Sequence, residues 1–128
     1  MTPTLCYLLS ANRSIQDIAS KKFTLIDVFT TITIPKDQAF TLQSFVVAGR
    51  LTDVSLGVFK ADVKIVDASG NVLQVSILEG NITLRDLSFV AGFNFVRMDK
   101  PGKYFLKMSV NGKELRDENR FFVEIIKA

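Results

Sequence analysis

The sequence contains no histidine. That absence removes Ser-His and Cys-His nucleophilic catalysis, histidine metal sites and the commonest general base near neutral pH. Tryptophan is missing too, and Cys6 is the one cysteine. An intrachain disulfide is therefore excluded, together with the disulfide-and-tryptophan core of antibody domains. Cys6, between Leu5 and Tyr7 in an apolar stretch, reads as a small buried side chain rather than a nucleophile. The seven glycines are dispersed and form neither a G-x-G-x-x-G fingerprint nor a P-loop. No cofactor, metal ligand set or catalytic residue is implied. No apolar run approaches the roughly 18 residues of a membrane helix. The opening stretch MTPTLCYLLSANRS has no basic region before its short apolar run. With a lone thiol, these features lead us to expect a cytoplasmic protein.

What is abundant is apolar and scattered. At 128 residues the chain fits one domain, residues 1–128, with enough length to bury a core unaided. Hydrophobic residues are 48% of it, and the mean hydropathy is +0.25. That excess needs a filled core, an interface, or both. The net charge of +3 comes from dispersed lysines and arginines, with no basic stripe of the kind phosphate binding uses. Ordinary surface charge is the better reading.

Along the chain the dominant period is two. Thr4 to Ala11 reads as a first strand, and Asn12 to Lys21 as a polar loop or single helical turn. KKFTLIDVFTTITI is strand-like but slips phase around Asp27-Val28, as a bulge or a change of sheet would produce. Phe40 to Leu51 is apolar on both parities, with Phe45, Val47 and Leu51 on one and Leu42, Val46 and Ala48 on the other. In the next strand Phe59, Ala61, Val63 and Ile65 alternate with Lys60, Asp62 and Lys64, so one face is wet. Asp67-Ala68-Ser69-Gly70-Asn71 is a turn; its calcium-loop echo lacks the carboxylates of a real site. Val72 to Leu78 and Ile82 to Val96 supply further strands.

The most legible stretch runs from Asp99 to Ile126. Pro101-Gly102 ends what precedes it. Tyr104, Leu106, Met108 and Val110 then share one face. Asn111-Gly112 is the pair best suited to a type I′ turn, and Phe121 to Ile126 forms the return strand of a hairpin. Tyr104, just after Pro101-Gly102, suits a tyrosine corner with its hydroxyl tied to backbone. Roughly seven to nine strands with regular turns and no long helix predict an all-β fold, an immunoglobulin-like antiparallel β-sandwich. Phe23, Leu25, Phe45, Val47, Phe59, Val63, Ile65, Phe89, Phe93, Tyr104, Leu106, Met108, Val123 and Ile125 are its expected core.

The succession KKFTLIDVFTTITIP, FTLQSFVVAGRL, VKIVDASGNVL and PGKYFLKMSVNGKEL, closed by an apolar last strand, resembles a family of small bacterial single-domain proteins of unknown function. The resemblance implies an immunoglobulin-like sandwich and brings no catalytic residues.

The carboxylates Asp53, Asp62, Asp67, Asp86 and Glu79 fall in turns or at lysine-alternating positions, where solvation accounts for them. The expected function is a non-catalytic protein-interaction module, self-associating as a homodimer or docking on another protein. Its interface candidates are Leu42, Val46, Ala48, Phe105, Phe122 and Ile126, expected on one outer face, with the Asn12–Lys21 loop as a competing cover. The alternative is nucleic-acid or other polyanion binding through the Lys103-Phe105-Lys107 trio.

Overall fold

The computed structural model describes residues 2–128. Among them there are ten strands and no helix, hence none long and apolar enough to cross a membrane. Four strands make one sheet: β1 (Thr4–Gln16), β2 (Phe23–Phe29), β4 (Thr41–Thr52) and β7 (Leu87–Met98). The second contains β3 (Thr31–Ile34), β5 (Gly57–Val66), β6 (Val72–Ile82), β8 (Gly102–Val110), the short β9 (Lys113–Glu114) and β10 (Phe122–Lys127). The orders are β2-β1-β4-β7 and β3-β10-β8-β5-β6, with β9 also paired to β8.

Alternation decides which side chains meet between the sheets. Phe59, Ala61, Val63 and Ile65 of β5 and Tyr104, Leu106 and Met108 of β8 are buried. They face Phe45, Val47 and Leu51 of β4 and Phe89, Ala91 and Phe93 of β7 in one apolar cluster. Each of the Val, Leu, Ile, Phe and Met side chains among them stabilises the fold by roughly 1.5–3 kcal/mol on leaving water. Of the core residues expected from the sequence, Phe23 and Leu25 differ: both are only half-buried, because β2 is an edge strand.

The phase slip near Asp27 marks a change of sheet. Asp27 adopts left-handed backbone (φ 56°), β2 ends at Phe29, and β3 resumes in the other sheet beside β10. That pairing is parallel, Thr31 with Glu124 through Ile34 with Lys127, so the sandwich is not wholly antiparallel. Ile32 and Ile34 become buried as the strand crosses.

Two further expectations are corrected. Asn12 to Gln16 is neither loop nor helical turn; it continues β1 and pairs with β2 as far as Gln16 and Phe23. The turn itself is short, with Asp17 Oδ2 accepting from the Ser20 amide and hydroxyl at 2.8 and 2.6 Å. The final hairpin also has an interrupted return. Asn111 and Gly112 make the turn with φ of 49° and 83°, β9 pairs briefly with β8, and residues 115–121 then loop out before β10 rejoins the same edge.

Candidate interaction face

Along β4, inward Phe45, Val47 and Leu51 leave Leu42, Val46 and Ala48 on the outer face of the four-stranded sheet. Ala48 lies between Leu9 of β1 and Val90 of β7; Val46 lies between Ala11 and Gly92. Val28 of β2 extends this row beyond Ala11. Part of the face is covered by the chain itself. Pairing of β1 with β4 stops at Ala11, and the β1–β2 hairpin turns back where Asn12 Nδ2 donates to Asp27 Oδ2 at 3.3 Å. Its tip, Lys21, Lys22, Phe23 and Leu25, shares a hollow of about 360 Å³ with Tyr7, Ala48 and Ser88. Ala48 is left 6% exposed, whereas Leu42 and Val28 remain 53% and 54% exposed.

At the open end of this face β7 carries a bulge. Gln43 pairs with Val96 and Phe45 with Phe93, so β7 contributes one more residue than β4 in that interval. The extra length places Phe95 in left-handed backbone, φ 54°, which is uncommon and costly for a bulky side chain. Three hydrogen bonds hold it there. Phe95 N donates to Ser44 Oγ at 3.0 Å, Asn94 N donates to Gln74 Oε1 at 3.0 Å, and Gln74 Nε2 donates to Asn94 O at 2.9 Å. Phe95 is 75% exposed. Nearby, Leu42 pairs with Arg97, whose guanidinium sits 4.1 Å over the Phe40 ring.

The other three interface candidates lie on the opposite side of the molecule. Phe105, Phe122 and Ile126 belong to β8 and β10, in the six-stranded sheet, where Phe105 pairs with Phe122. The expectation of one continuous patch is therefore overturned by the strand order: β4 lies between β1 and β7, not beside β8. Phe105 and Phe122 are half-buried, with Lys107 Nζ 5.7 Å and Lys103 Nζ 4.4 Å from their ring centres. Alternation in β6 exposes Val75 and Ile77 on this side as well.

Of the residues expected to shape the final strands, Tyr104 is buried and its hydroxyl donates to Lys100 O at 2.9 Å. Pro101 and Gly102 (φ 131°) lead into β8 behind it. The carboxylates are spread out. Asp86 forms a two-point pair with Arg50 (Nε to Oδ1 3.0 Å, Nη2 to Oδ2 2.5 Å), and its pKa is lowered chiefly by that hydrogen bond. Asp67 accepts from Ser69 N and Asn71 N, both at 2.9 Å, which holds its pKa down, the Asn71 backbone bond first. Glu79 lies 3.9 Å from Lys60, and Asp62 3.8 Å from Lys64. Among the described residues no three metal-ligating side chains meet. Cys6 is half-buried, its thiol 3.9 Å from the Thr52 hydroxyl.

The sequence reading missed Asp117. It is buried in the loop between β9 and β10, where its Oδ1 accepts from Lys107 Nζ and from Asn119 N, both at 2.8 Å. The Asp-x-Asn spacing is an Asx-turn signal, but nothing local pairs it with a lysine ten positions earlier.

The model of a family of unknown function, DUF6941, matches residues 8–121, and the chain belongs to that family. No curated protein matches it.

Proposed function

We propose that this family member is a non-catalytic protein-interaction module that pairs with a second copy of itself through the outer face of the four-stranded sheet. Phe95 carries the reading. A strained backbone position, held by hydrogen bonds from both sheets, keeps an aromatic ring in water. Exposed apolar area is unfavourable by roughly 25 cal/mol per Å². Phe95, Leu42, Val28 and Leu9, between 39% and 75% exposed, are the apolar side chains that a second copy would cover here. A sheet face turned on itself about a twofold axis lays the same strip against its copy, so each Phe95 ring gains cover.

The test is sedimentation at micromolar concentration. The wild type is expected to be a dimer. Phe95→Asn, which tolerates left-handed backbone, is expected to be a monomer with an unchanged circular dichroism spectrum. A monomeric wild type overturns the proposal.

Polyanion binding is the second reading, resting on Lys103, Phe105 and Lys107. The lysines already lie over the Phe122 and Phe105 rings, which leaves less aromatic face for base stacking and favours protein docking. Retention on a polyanion column that collapses with modest salt would reverse that preference. The passage of β3 to a parallel place beside the last strand supports an immunoglobulin-like sandwich with β1 inserted between β2 and β4. A single half-buried thiol suits a reducing cytoplasm.

A further inference from the structure

The loop between β9 and β10 brings an amine, a carboxamide and a buried carboxylate into contact. Lys107 Nζ donates to Asp117 Oδ1 at 2.8 Å and also to Asn119 Oδ1. The Asp117 side chain is 1% exposed, and its Oδ2 has no hydrogen-bond partner. A buried carboxylate oxygen without a partner is costly, and it leaves a free proton acceptor beside the lysine. Glu118 and Asn119 are both left-handed, with φ of 56° and 58°. That strained pair turns the Asn119 carboxamide toward the amine, while Arg120 N and Nε hold the Asp117 carbonyl at 3.2 and 3.1 Å.

We propose that this triad is a self-modification site, at which Lys107 Nζ displaces ammonia from the Asn119 side chain to form an intramolecular amide. The Lys107 ammonium gives a proton to the Asp117 carboxylate, and the neutral amine attacks Asn119 Cγ. The carbonyl electron pair moves onto oxygen and then returns. On its return the bond from Cγ to the side-chain nitrogen breaks, and that nitrogen takes the proton held by Asp117. A second proton leaves the new amide nitrogen by the same carboxylate and converts the departing ammonia to ammonium. An ammonium and a carboxamide become a secondary amide and an ammonium ion, so atoms and charge balance and Asp117 is regenerated. No oxidant, metal or co-reactant enters. The carboxamide is a poor electrophile, but the reaction occurs once per chain between groups already in contact. Such orientation is worth effective molarities on the order of 10⁵ M or more. Asn119 is at the surface, so the leaving ammonia has a route to solvent. The bond would tie β8 to the segment entering β10, bridging twelve positions.

Intact-mass measurement of the full chain under denaturing conditions tests this. The wild type should be lighter than its sequence mass by one ammonia. Its protease digest should contain a branched peptide joining the segments that hold Lys107 and Asn119. Lys107→Arg, which keeps the charge without the nucleophile, and Asn119→Ala should both have full mass and no branched peptide. Asp117→Ala should stay unlinked; if it fails to fold, the Lys107→Arg comparison decides alone. A wild type still at full mass after prolonged incubation at neutral pH overturns the proposal. So does an ammonia loss that maps to a cyclised Asn111-Gly112 with every digest peptide linear.

Discussion

The Gln74 carboxamide takes both backbone groups of Asn94, its nitrogen donating at 2.9 Å and its oxygen accepting at 3.0 Å. Gln74 is on β6 and Asn94 on β7, the terminal strands of the two sheets, so this contact clips them together where no strand pairs them. It also supplies the partners that the β7 bulge removes from the ladder.

Gln74→Met keeps the volume and removes both bonds. Because the pair is at the surface, water replaces part of what is lost, and the expected cost is about 1 kcal/mol in urea unfolding. Amide exchange at Asn94 and Phe95 should quicken at the same time. A variant with wild-type midpoint and wild-type exchange would show that the bulge is held without the clip.

Tyr104→Phe removes the hydroxyl that donates to the Lys100 carbonyl. The ring remains in the core, so packing is conserved and the hydrogen bond is what changes. The cost should be about 1 kcal/mol, with the urea m-value unchanged. Equal stability of variant and wild type would remove the corner's role.

Parity within strands was legible because one lysine-bearing face defines the other. Lys60 and Lys64 predict buried Phe59, Val63 and Ile65; Lys103 and Lys107 predict buried Tyr104, Leu106 and Met108. Partners were not legible. Alternation says which way Leu42 and Phe105 point along their own strands but not that β4 and β8 belong to different sheets. Asn12 to Gln16 reads as a loop because its side chains are polar, whereas an edge hairpin is held by backbone bonds that leave no mark on composition. Asp117 looks like any charged loop residue, since its burial depends on a loop closing over Lys107.

Acid should reveal the Arg50–Asp86 pair. Asp86 binds its proton below the ordinary value of 3.8, chiefly because Arg50 hydrogen-bonds its carboxylate. Between the lowered folded value and the unfolded one, the unfolded chain holds more protons. The pair's contribution is thus present above the unfolded value and is lost as pH falls through the folded value. Both side chains are about half exposed, so the effect is small and shrinks with salt. Asp86→Asn should be less stable than wild type at neutral pH and low salt, with the gap closing toward strong acid. A gap independent of pH would assign the loss to packing.

The strictest packing constraint is at Gly49. A Cβ there would lie 2.3 and 2.8 Å from Phe89 ring carbons and 2.9 Å from Leu8 Cδ2. Leu8, Gly49 and Phe89 sit side by side on the inner face of three adjacent strands, and the Phe89 ring occupies the space a side chain would use. Gly49 is not among the left-handed glycines, so space and not backbone freedom demands it. Both neighbours are buried, and neither can move without opening the core. Gly49→Ala should therefore cost on the order of 1–3 kcal/mol, as overpacking does. Phe89→Leu should relieve the clash, so the double variant should lose less stability than the two single losses combined. A urea-unfolding double-mutant cycle measures the coupling. Strict additivity would mean that the ring and the glycine do not share that space.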